Sequence, residues 1–128
     1  MTWPIEEEEI RELLALPAAD RAVNFFQLVA DWEEAWGLQD ENGWVVGRET
    51  DALPLWPHSA FAEACARGPW QGAVPAPVSL DDLLVDLLPL LAADSLRAAV
   101  FPTADDPGLI LTPTEVGERL EQELQIGG

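Results

Sequence analysis

The chain has 128 residues, with 24 acidic side chains against six basic ones, for a net charge of −18 at pH 7. That length suits one domain, and an apolar content of 48% excludes a disordered acidic chain. No run approaches the roughly 18 apolar residues of a membrane span, and a pI near 4.1 leaves no basic stripe for phosphates, so neither nucleic acid nor an anionic membrane is an expected partner.

A lone Cys65 excludes an internal disulfide and a cysteine-cluster zinc site. The first residues run into Glu6, Glu7, Glu8 and Glu9 without a basic, apolar leader, which does not read as a signal peptide. Together these features lead to an expected cytoplasmic location and to a single domain over 1–128, with residues 1–16 an acidic helix at its periphery.

In chain order, Ile5 to Leu16 reads as that acidic helix, its glutamates placed at the positive end of the helix dipole. After Pro17 a second helix runs from Ala18 to Trp32, where Ala22, Phe25, Phe26 and Val29 recur at helical spacing. Ala35 to Gln39 and Trp44 to Arg48 flank Asp40-Glu41-Asn42-Gly43 and predict a β-hairpin, since Asn-Gly tolerates positive φ. Leu53 to Trp56 is a third strand. Pro54 has no N–H for a ladder, so this strand is expected at an edge or beginning at Leu55.

His58 to Arg67 predicts a short helix closed by Gly68-Pro69, and Trp70 to Val78 reads as loop. Ser79 caps a leucine helix, with Leu80, Leu83, Leu84, Leu87, Leu88 and Leu91 on one face and Pro89 expected to end or kink it. Leu96 to Phe101 and Gly108 to Leu111 read as strands around the turn Asp105-Asp106-Pro107-Gly108. Thr112-Pro113-Thr114-Glu115 then opens a last helix, with Thr as cap, Pro at the first position and Glu three after the cap. The sum is an α+β fold: one small, mostly antiparallel sheet of four to six strands, an N-terminal helical pair and a C-terminal helix packed on it.

Arg21 with Phe25 and Phe26, Trp36-Gly37-Leu38, Gly43-Trp44 and Leu53-Pro54-Leu55-Trp56-Pro57-His58 form a recognisable set, continued by Trp70, the Ser79-led leucine helix and Val100-Phe101-Pro102-Thr103. The set resembles a bacterial family known as domain of unknown function 2750, over roughly residues 10–125. The resemblance implies a compact single domain and carries no activity with it.

The inventory for chemistry is thin. His58 and Cys65 are seven apart, about 10.5 Å along a regular helix, too far for a nucleophile and its base. His58 then reads as a helix cap and Cys65 as core. Asp81, Asp82 and Asp86 read as a solvated helix face. A calcium loop aligned on Gly43 puts Asp40, Asn42 and Glu49 at ligand positions but leaves Leu38 at the first, so the motif fails. No catalytic, metal or cofactor site is therefore expected.

Two excesses remain, tryptophan and acid. Trp3 and Trp70 sit in poorly periodic segments and are expected to be the exposed indoles, whereas whether Trp36 and Trp44 meet across the hairpin depends on its register. The leading expectation is a non-enzymatic module that binds a basic protein, as an immunity protein or antitoxin would, through Glu6, Glu7, Glu8, Glu9, Glu12 and exposed Trp. The rival is a small-molecule pocket or minor enzyme site at His58, walled by Trp36, Trp44 and Trp56. Either a monomer or a homodimer fits, with the strand edge near Leu55 as a candidate seam.

Overall fold

The computed structural model describes residues 4–47 and 50–127. Two helices, α1 (Glu7–Leu14) and α2 (Ala18–Trp32), lead into β1 (Glu34–Asp40) and β2 (Gly43–Trp44). β3 (Ala52–Leu55), α3 (Ser59–Ala64), a 3-10 turn (Gly68–Trp70) and β4 (Val74–Ser79) follow. One continuous helix then comprises α4 (Leu80–Asp82), a π segment (Leu83–Leu87) and α5 (Leu88–Ala93), before β5 (Arg97–Val100), β6 (Leu109–Leu111) and α6 (Pro113–Gly127).

The α+β class holds, but the strands divide into two sheets of three rather than one. The first, ordered β2-β1-β4, is antiparallel throughout; the second, β3-β5-β6, pairs β3 with β5 in parallel and β5 with β6 antiparallel. The two meet at a bridge where Trp36 N–H donates to the Trp56 carbonyl and Trp56 N–H donates back, each at 2.8 Å, and Gly47, just past β2, bridges Ala52 of β3. β3 is the edge its proline requires, yet it begins at Ala52 and carries Pro54 inside it. Leu55 is wholly buried and its free flank meets β1 through that bridge, so the edge near Leu55 is no exposed seam.

β4 lies where the sequence reads as loop. Its register opposes Trp36 to Pro77 and Leu38 to Pro75. Prolines two apart turn the same side of the strand toward the neighbour, so both missing donors fall on the outer edge, away from β1. The intervening residues Val74, Ala76 and Val78 supply the ladder. On β1, Trp36 and Leu38 correspondingly spend their backbone groups on the other flank, with Trp56 and Val45.

Pro89 does not end the leucine helix. Proline cannot donate to the carbonyl four residues back and its ring crowds that carbonyl. The helix widens just upstream instead: Leu88 N–H reaches the Leu83 carbonyl, an i to i−5 bond. Leu80, Leu83, Leu87, Leu88 and Leu91 are buried as their spacing predicts. Both predicted caps form: Ser79 Oγ accepts from Asp82 N–H at 3.1 Å, and Thr112 and Glu115 exchange backbone-to-side-chain bonds of 3.1 and 3.0 Å. The core joins Phe25, Phe26 and Val29 of α2 to Leu53, Leu55, Trp56, Phe61, Val100, Phe101 and Leu120.

Candidate functional site

A cleft of about 1130 Å3 opens between three pieces of irregular chain. One rim is the β1–β2 tip with Val45 to Gly47, the second is the turn at Gly68–Trp70, and the third is the loop Pro102–Pro107. Ala52, Ala64, Cys65 and Ala99 lie among its lining residues, so small side chains leave the hollow open. Trp44 and Trp70 supply its large apolar surface, and Asp40, Asp105 and Asp106 its carboxylates, with Arg67 as a cation.

Each rim has an identifiable cause. The hairpin pairs Gln39 with Trp44 and Asp40 with Gly43, and Asp40 Oδ1 accepts the Asn42 N–H at 2.8 Å, an Asx turn that closes the tip. The register carries the Trp44 indole across Gly37, where a Cβ would lie 2.8 Å from Trp44 Cζ3; glycine is required there for room. Trp70 meets Trp56 edge to face, centroids 6.3 Å apart at 84°.

The Pro102–Pro107 rim is tied down from below. Phe101 adopts φ +54°, a left-handed conformation that costs a bulky side chain energy. Three buried donors converge on its surroundings. Arg21 Nε donates to the Phe101 carbonyl at 2.9 Å, while Trp56 Nε1 donates at 2.8 Å and Cys65 Sγ at 3.5 Å to the Pro102 carbonyl. Arg21 is 3% exposed; its Nη1 also donates to the Leu16 carbonyl, and its Nη2 lies 3.3 Å from Asp106 Oδ1. That last contact is an ion pair without hydrogen-bond geometry. Burial pushes the Cys65 thiol upward from its ordinary value, against smaller lowering effects of Trp56 and Arg21, so it stays protonated at neutral pH.

The expected site residues separate. Trp44 and Trp70 line the cleft; Trp36, Trp56 and His58 do not. Trp56 is fully buried, and Trp36 is half-buried with Nε1 donating to Glu34 Oε1 at 3.0 Å. Trp36 and Trp44 do not pair across the hairpin, because Trp44 opposes Gln39. His58 is the N-cap of α3: its Nδ1 accepts the Ala60 N–H at 3.0 Å, and its ring packs edge-on against Phe61. Trp70 is half-buried rather than exposed; Trp32, 38% accessible, is the more open indole, and Trp3 lies outside the described residues, as do Arg48 and Glu49. Glu6, Glu7, Glu8, Glu9 and Glu12 are exposed along α1 and lie off the cleft.

Sequence reasoning missed Asp40, Asp105 and Asp106 as rim residues and Arg21 as the support of Asp106. The Arg21 signal was legible: Arg21, Phe25 and Val29 repeat at four-residue spacing, which sets a cation on the buried face of α2. Among the described residues no three His, Cys, Asp or Glu side chains converge as a metal site requires, and no helix is long and apolar enough to cross a membrane.

Fold and cleft define a small α+β protein with a concave surface that bears Trp44 and Trp70 and is rimmed by Asp40, Asp105 and Asp106. The chain belongs to the family described as "Protein of unknown function (DUF2750)", which matches residues 22–120. No curated protein and no solved structure matches it significantly.

Proposed function

We propose that this protein is a non-enzymatic interaction module of the bacterial cytoplasm that docks a basic segment of a partner protein in the cleft. Masking of a basic toxin, as an immunity protein or antitoxin does, is one concrete form. The observation that carries this reading is the pairing of Trp44 and Trp70 with Asp40, Asp105 and Asp106 around one hollow, in a chain of net charge −18. Indole surface supplies contact area and the carboxylates supply charge complementarity. Glu6 to Glu9 and Glu12, exposed on α1, add a long-range field that raises the encounter rate of a cationic partner. A cytoplasmic setting is in keeping with one unpaired, buried cysteine. The rival pocket at His58 is not favoured, since that imidazole caps α3 and stands off the cleft.

Titration of the intact protein with deca-lysine and deca-arginine, followed by tryptophan fluorescence at low and high salt, tests the reading. Saturable binding that weakens with salt, and that Trp70→Ala reduces at least tenfold, is the expected result. Absence of binding at low salt, or binding indifferent to both Trp44→Ala and Trp70→Ala, would overturn it.

A further inference from the structure

The two oxygens of Asp106 are in different situations. Oδ1 accepts the Gly108 N–H at 2.7 Å and faces Arg21 Nη2 at 3.3 Å. Oδ2 takes neither contact, and the side chain remains 42% exposed among the residues lining the cleft. Arg21 explains why this carboxylate stays put. Its guanidinium is buried, and its other two nitrogens are committed to the carbonyls of Phe101 and Leu16. A buried cation that loses its counter-charge is strongly destabilised. Rotation of Asp106 away from the wall would strand Arg21, whose Nη2 has no hydrogen bond to fall back on. The carboxylate is thus fixed on its inner side and open on its outer side.

Resting on the docking reading above, we infer that the cleft anchors its partner through an arginine side chain, which meets the outer oxygen of Asp106 and stacks on the indoles of Trp44 or Trp70. Arg21 is the positioning residue that holds Asp106 for this contact. A guanidinium suits the place better than an ammonium. It is planar, so it stacks on indole faces, and more weakly hydrated, so it leaves water at lower cost. Its fork of N–H donors also matches a carboxylate held in one orientation. Asp105 and Asp40 add charge at the rims, but neither is braced by a buried cation.

The test compares hexa-arginine with hexa-lysine on wild-type protein, Asp106→Asn, Asp105→Asn and Arg21→Lys, with the fold of each variant checked by its thermal melt. Asp106→Asn keeps an acceptor for the Gly108 N–H while removing the charge, and Asp105→Asn is an equal change of net charge next door. Wild type is expected to prefer hexa-arginine roughly tenfold. Asp106→Asn should lose most of that preference, Asp105→Asn should keep it, and folded Arg21→Lys should shrink it even where total affinity changes little. A purely structural role for Arg21 would lower the melting temperature without moving the ratio. Equal affinity for the two peptides, or a preference untouched by Asp106→Asn, would overturn the anchor while leaving the docking reading intact. Binding of neither peptide would overturn both.

Discussion

The cleft has two acidic walls built on opposite principles. At the hairpin tip, the Asp40 carboxylate takes a single bond, from the Asn42 N–H two residues away, on exposed chain. Across the hollow, Phe101 to Gly108 is held by Arg21, Trp56 and Cys65, side chains 80, 46 and 37 residues away in sequence from the carbonyls they bind. A local turn is cheap and adaptable; a wall pinned by buried donors keeps its geometry at the cost of strain at Phe101. The contrast teaches where selectivity belongs. On the docking proposal, the braced wall is the one expected to discriminate between cations by shape, and the hairpin tip is expected only to attract charge.

Substitutions should separate the walls by size of effect. Gly108→Ala is expected to be the most damaging: φ is +80°, and a Cβ would stand 2.5 Å from the Val100 carbonyl oxygen and 2.9 Å from Pro102 N. Left-handed strain and backbone crowding together should cost about 3 kcal/mol or more, read as a fall of roughly 10 °C in the calorimetric melt. A melt within a degree or two of wild type would mean the wall is not braced as described. Arg21→Met comes next. It leaves the Phe101 and Leu16 carbonyls without their donors, a loss of about 2–3 kcal/mol; because Asp106 is partly solvated, the penalty should stay below that of a fully buried broken pair. Amide exchange should accelerate on both sides of Phe101.

On the other wall, Asp40→Ala removes one exposed Asx bond and should cost about 1 kcal/mol or less, measured by urea denaturation. A loss equal to that of Arg21→Met would erase the distinction between the walls. The smallest effect belongs to Glu115, which does not line the cleft. Its carboxyl is held below the usual range chiefly by the Thr112 backbone N–H, then by the Thr112 hydroxyl, with a lesser contribution from Arg119. A depressed carboxyl stabilises the fold above its unfolded pKa and loses that contribution as pH falls through its folded pKa. Glu115→Gln should therefore flatten the acid limb of the melting-temperature profile slightly and leave the two walls unaffected.

Some of this was readable from residue order alone. The bounds of α2, the Asn-Gly hairpin, and the caps at Ser79, Thr112 and His58 all follow from interactions within about four residues. Such interactions are fully present in a local stretch of sequence. Burial of the leucine face followed from spacing for the same reason.

What only the tertiary structure decided is what distant segments do to one another. β4 was masked by its own prolines, because a donor missing on the outer edge and one missing from the ladder look alike until β1 is alongside. Where the two sheets join depends on which edge of β1 meets Trp56. The sequence determined that this is an acidic, Trp-rich α+β domain of the family matched. Where its acid and indole converge was decided by long-range pairing, since Trp44, Trp70 and Asp106 share no local pattern and meet only when the hairpin, the Gly68–Trp70 turn and the loop braced by Arg21 fold around one hollow.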